Sequence, residues 1–200
     1  MCGRYYISDD TAREIEKIVR NLDRKLAVHH SGDVSPSAMA TVLVQPENSL
    51  TAADMKWGFP GYEGKSLLIN ARAESALGKR TFQESVRQRR CVVPASGFYE
   101  WNRKKEKYTF RRADHVPLLF MAGCYNLYDG KNRFVILTTQ ANASMAPVHE
   151  RMPLILERSE MESWLRDDGC VERLLKKEPS NLVYSTEYEQ MSLFEINNGV

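Results

Sequence analysis

The sequence contains no C-x-x-C pair. Its four cysteines (Cys2, Cys91, Cys124, Cys170) are widely spaced, and no nearby histidine completes a zinc site. No metal centre is expected, and in a reducing compartment all four should be thiols. No run of about 18 apolar residues exists, which removes a membrane-spanning helix. The N-terminus lacks a basic stretch followed by an apolar one, so no secretory signal is read and a cytoplasmic location is expected. G-x-G-x-x-G, P-loop and H-E-x-x-H patterns are absent, leaving nucleotide cofactors and zinc-peptidase chemistry without support. No cofactor is expected. The net charge of +2 is too small to announce a nucleic-acid binder, so such a claim must rest on local clusters. Internal repeats, low-complexity tracts and a convincing linker are also missing.

What is present is an ordinary globular composition, 42% hydrophobic and 27% charged. Residues 1–200 fit one domain, expected to be a monomer. "TAREIEKIVRNL" has Ile15, Ile18, Val19 and Leu22 at helical spacing, with Thr11 and Glu14 as a capping box. "ATVLVQ" and "ADMKWGF" read as strands, the second alternating Met55, Trp57 and Phe59. "TFQESVRQ" predicts a short helix capped through Thr81 and Glu84. "SEMESWLRD" predicts another, capped at Ser159 with Glu162. Between them lie strands in "RCVVPASGFYEW", "KYTFRR", "PLLFMAGCYNLY", "FVILTTQ" and "RMPLILE", with Asp129-Gly130 as a hairpin turn. Beyond about residue 180 the pattern supports no firm assignment. Strands dominate without regular β-α alternation, which predicts an α+β fold with a mostly antiparallel sheet.

Cys91 and Cys124 sit in apolar runs and read as small core residues. Cys2 stands apart. If Met1 is trimmed, Cys2 presents an α-amine and a thiol on adjacent carbons, both partly nucleophilic near neutrality. Such a pair condenses with an aldehyde and closes a five-membered thiazolidine. Glu100 lies between Tyr99 and Trp101, where partial desolvation would suit it to proton transfer; the same alternation also permits it to face solvent. Asn70, Arg72 and Glu74 follow directly on an apolar run, and His149, Glu150 and Arg151 precede a proline. His29, His30 and His115 are less suggestive. Arg72, Lys79, Arg80, Arg87, Arg89 and Arg90 form one basic cluster, and Arg103, Lys104, Lys105 and Lys107 follow Trp101. Arginines beside aromatics suit single-stranded nucleic acid; a solvated charged face and a hairpin tip explain the same residues.

"MCGR", "INARAES", "RCVVPASGFYEW", "LTTQAN" and "VHERMP" occur in an order that resembles the SOS-response-associated peptidase (SRAP) family of abasic-site processing proteins. The resemblance runs from residue 1 to about 156; the segment after "KWGFP" is compact, so a DNA-facing loop there is expected to differ from relatives, and the C-terminal tail matches only loosely. It implies one α+β domain with a barrel-like sheet flanked by short helices. It also implies that abasic sites in single-stranded DNA are bound and crosslinked covalently through Cys2, with Asn70, Glu100 and His149 at active-site positions. Arg4, Trp57, Arg72, Arg80 and Trp101 become DNA-contact candidates. A Schiff-base lyase activity and self-cleavage or crosslink reversal fit the same scheme. Two alternatives stay open: an N-terminal cysteine amidohydrolase of the glutaminase type, and a non-catalytic module for single-stranded or modified DNA.

Overall fold

The computed structural model describes residues 2–20, 31–46, 49–114 and 116–186. Strand β1 (Tyr5–Ile7) leads into helix α1 (Asp9–Arg20), followed by β2 (Gly32–Val34), β3 (Met39–Val44) and β4 (Thr51–Trp57). Short strands β5 (Phe59–Pro60), β6 (Leu67–Leu68) and β7 (Asn70–Arg72) precede helices α2 (Ala73–Ala76) and α3 (Gln83–Gln88). The strand-rich centre comprises β8 (Arg90–Ala95), β9 (Gly97–Trp101), β10 (Lys107–Arg112), β11 (Leu119–Tyr128) and β12 (Lys131–Gln140). Strands β13 (Arg151–Pro153) and β14 (Ile155–Leu156), helices α4 (Arg158–Arg166) and α5 (Val171–Leu175), and strand β15 (Leu182–Thr186) complete it.

Strands β4, β3, β8, β11 and β12 close on themselves into a barrel, because β12 pairs with both β11 and β4. The pairing is antiparallel except where β12 meets β4 and β7, so the fold is the expected α+β, mostly antiparallel barrel. Strand β8 is buried along its whole length, as its unbroken apolar run allows. The Trp164 indole of α4 closes over it, donating to the Cys91 carbonyl at 3.0 Å. The β11–β12 hairpin turns at Asp129 (φ 49°) and Gly130 (φ 72°), the two left-handed residues that a tight primed turn demands. A second sheet, in the order β15-β10-β9-β1-β2, carries Tyr5, Phe98 and Phe110 on its buried face.

The three helix starts differ from the sequence reading. Helix α1 begins at Asp9, and Ser8 Oγ accepts from the Thr11 N–H at 3.3 Å. Thr11 is instead fully buried and donates to the Pro117 carbonyl. Helix α3 has Phe82 at its cap with no side-chain bond, and Glu84 pairs with Arg89 at 2.9 Å. Helix α4 is closed by Glu157 and Glu160, two residues before the expected Ser159 and Glu162; Glu160 Oε2 accepts from the Glu157 N–H at 2.8 Å. "RMPLILE" is two strands, because β13 pairs with β12 and β14 with β11. His29, His30, Leu22, His115 and residues 187–200 lie outside the described residues.

Candidate active site

The β1–β9 pairing sets Tyr5 opposite Phe98 and extends to Arg4, whose carbonyl accepts from the Tyr99 N–H at 2.9 Å. That register lays the N-terminal residues beside the end of β9 carrying Glu100 and Trp101. Asn70 opens β7, and its Nδ2 donates to the Cys2 carbonyl at 3.0 Å. The Asn70 Oδ1 is buried and has no hydrogen-bond partner among the described residues. Cys2 is fully buried. Burial, and then the charge of Glu100, push its thiol far above the ordinary cysteine range, so it is protonated at neutral pH. Glu100 is itself only 4% exposed, on the covered face with Phe98, and not turned out to solvent.

His149 arrives from the other side. Strand β12 pairs with β7 along one edge, Thr138 opposite Arg72, and with β13 along the other, Thr138 opposite Pro153. Residues on β7 and β13 therefore stand roughly 10 Å apart, two strand spacings. His149 Nδ1 lies 2.9 Å from the Arg151 nitrogen and 3.2 Å from the Arg151 carbonyl oxygen, so the Arg151 backbone holds the ring through that atom. Arg151, 6% exposed, reaches across β12 and donates to the Thr138 carbonyl at 2.7 Å. It also grips Glu74 through two bonds of 2.6 and 2.9 Å. Burial works against ionisation of Glu74, but the Arg151 guanidinium outweighs it and holds the carboxyl below its usual range.

A groove of about 560 Å³ is lined by Trp101 at the end of β9, by Arg103 and Lys104 in the turn after it, and by Val148, His149 and Glu150. Trp101 is 36% exposed, and the Arg4 guanidinium lies 5.9 Å above its ring. Cys2, Asn70 and Glu100 thus converge, and Trp101 and His149 share the adjoining groove. Arg72 is exposed on β7 and Arg80 is exposed in the turn before α3.

Two placements correct the sequence reading. Trp57 is fully buried, stacked on Phe134 at 6.1 Å, so it presents no surface to DNA. Its indole donates to the Ile69 carbonyl at 2.9 Å and so anchors the residue before Asn70. Arg90 leaves the basic cluster: it is buried, donates to the Trp164, Val86 and Arg87 carbonyls, and pairs with Asp168 at 2.8 Å. The reading also passes over Asn142, a buried hub under the His149 loop. Its Oδ1 accepts from the Ser144 and Met145 N–H groups, and its Nδ2 donates to the Pro179 carbonyl at 2.9 Å. The "ANAS" run, an Asn followed by small turn residues, carried that signal. Among the described residues no three His, Cys, Asp or Glu side chains gather to hold a metal ion.

The family model of the SOS response associated peptidase (SRAP) matches residues 1–200. Abasic site processing protein YoqW of Bacillus subtilis (strain 168) is 31% identical over 181 residues, spanning 82% of this chain and 80% of that protein. Abasic site processing protein YedK of Escherichia coli (strain K12) is 28% identical over 180 residues, spanning 84% and 81%. A solved structure from Bordetella bronchiseptica shares the fold with a TM-score of 0.77 at 24% identity, covering 92% of this chain and 99% of that one. With a match along its whole length, the chain belongs to the SOS response associated peptidase (SRAP) family.

Proposed function

We propose that this protein processes abasic sites in single-stranded DNA by trapping the sugar aldehyde on Cys2 after Met1 is removed. The observation that carries the reading is the convergence of Asn70 and Glu100 on Cys2. The Asn70 Nδ2 fixes the Cys2 carbonyl, and its unsatisfied Oδ1 offers the acceptor that a freed α-amine needs.

The buried environment orders the steps. A thiol held protonated is a weak first nucleophile, so the amine leads. It adds to the aldehyde carbon, and loss of water leaves an imine. The sulfur then bonds to the imine carbon, its proton passes through Glu100 to the imine nitrogen, and a thiazolidine results. Glu100 also shuttles the protons of sugar opening and dehydration. His149, its ring held at Nδ1 by the Arg151 backbone, donates from Nε2 to a sugar or phosphate oxygen. While the imine persists, the adjacent C–H is acidified and the 3′ phosphate can be eliminated; ring closure competes with that lyase step. The peptidase in the family's name is read narrowly, as release of Met1 or reversal of the crosslink. An exposed ring with a guanidinium above it favours an unstacked base, hence a single strand.

An amidohydrolase would need the Asn70 amide aimed at an oxyanion beside the Cys2 sulfur, whereas here it is spent on the Cys2 carbonyl. The test is a denaturing gel with an abasic oligonucleotide, paired with intact-mass spectrometry. Wild type gives a heat-stable adduct on a chain lacking Met1. Cys2→Ala gives none, and an undiminished band in that variant would sink the linkage.

A further inference from the structure

The second sheet has an outer face that the trapping chemistry does not use. Residues directly opposite in antiparallel strands share a face, and here Tyr6 stands opposite Gly97 and Lys107 opposite Trp101. Alternation puts Tyr99 and Arg111 on that same face, while Tyr5, Phe98, Glu100 and Phe110 fill the buried one. Tyr6 and Tyr99 stack with centroids 5.3 Å apart and 23° between planes. Lys107 Nζ lies 4.0 Å over the Tyr99 ring. Gly97 lets β10 and the row close in: a Cβ there would collide first with the Phe110 carbonyl and would sit 2.8 Å from the Tyr6 ring. Asp33 on β2 accepts from the Tyr99 hydroxyl at 2.9 Å and fixes that ring. Trp101 ends the row and also lines the groove shared with His149.

We propose that this face, carried by Tyr6, Tyr99, Lys107 and Arg111, is a stacking platform for the single-stranded nucleotides that flank the damaged sugar. The proposal rests on the DNA reading above and extends it beyond the reacting nucleotide. Tyr6 stacks on one side of the Tyr99 ring and Lys107 caps the other, so an incoming base takes the Lys107 side and displaces the ammonium toward a phosphate. Arg4, Lys107 and Arg111 outnumber Asp33, so the face complements a polyanion. Nothing here reads base edges, so binding should be indifferent to sequence and sensitive to salt.

The test is fluorescence anisotropy on the full chain with undamaged oligothymidylates of about 6 and about 15 nucleotides, lengths chosen around one strand-binding site. Wild type should bind the longer probe markedly better. The surface double variant Lys107→Ser/Arg111→Ser should lose about fivefold or more on the longer probe, its salt slope falling by about 1.4 for two phosphate contacts. Tyr99→Ser should lose the length-dependent gain, and Tyr99→Phe should recover more of it. Unchanged affinity and salt slope in the double variant would overturn the platform. Because these probes contain no aldehyde, a wild-type failure to crosslink abasic DNA would count against the Cys2 chemistry and leave this readout standing.

Discussion

Glu100 occupies a face of β9 whose neighbours Phe98 and Phe110 are fully buried, and a carboxylate there is costly unless its charge is used. That charge also raises the ionisation of the Cys2 thiol, which puts the two groups within electrostatic reach of each other. Replacing it with glutamine keeps the shape and removes the charge, which yields two opposite expectations. Crosslinking in single-turnover assays should slow by about 100-fold or more, the usual contribution of a placed acid-base group. Thiol alkylation should move to lower pH, because one of the two causes that raise the Cys2 ionisation is gone. General unfolding would also bare the buried Cys2 thiol, so the urea midpoint of Glu100→Gln must match wild type for the shift to report the lost charge, and an unshifted alkylation profile would refute it. Glu100 also shows what a single sequence conveys. Alternation in "GFYEW" puts Glu100 with Phe98 and apart from Trp101, but which face is covered depends on strands far along the chain. Trp57 is the converse case: its alternation with the buried Met55 and Phe59 already points it inward, and only the family resemblance set it against DNA.

At the level of elements, the Glu74–Arg151 pair ties α2, just after the Asn70 strand, to the strand that follows His149. The Arg151 side chain is 8% exposed and that of Glu74 is 52% exposed, so removing the carboxylate strands a buried guanidinium. Glu74→Ala should cost about 2 kcal/mol in urea denaturation, below the figure for a fully buried pair because one partner is wet. Lys17→Ala, breaking a pair whose lysine is 69% exposed, should cost less than about 0.5 kcal/mol. Loss of Glu74 should also slow crosslinking, since His149 takes its position from the Arg151 backbone. Equal costs for the two variants would refute the clamp. Local chemistry made some elements readable. Asp129-Gly130 needs only its own φ angles to form the hairpin. Caps were less readable, because several oxygen-bearing residues surround each helix start and tertiary bonds choose among them, as Thr11 is taken by Pro117. The five-strand closure through β12 lies between residues more than seventy positions apart, Arg133 with Lys56, and no local pattern encodes it.

The whole molecule buries Cys91 and Cys124 in the barrel wall, and this sets an alkaline limit on the fold. Cys91 stands opposite Gly123 and Cys124 opposite Arg90, so the two lie on opposite faces of the β8–β11 pair, and both are fully buried. Burial raises both ionisations, that of Cys124 from 9.0 to about 12, with Arg89 opposing it only partly. A thiol whose folded value is raised contributes stability that is intact below the unfolded value and is lost as pH climbs toward the folded one. The window for Cys124 therefore runs from 9.0 to about 12. Within it, each such thiol removes about 1.4 kcal/mol per pH unit, because the unfolded chain ionises and the folded chain does not. Between about pH 8 and about pH 10.5, wild type should lose about 2 kcal/mol more than Cys124→Ala, a difference in which lysine and tyrosine titration cancels. Urea midpoints at the two pH values measure it. Parallel losses in the two proteins would mean that water reaches the β8–β11 seam, and that the barrel is looser than its buried strands imply.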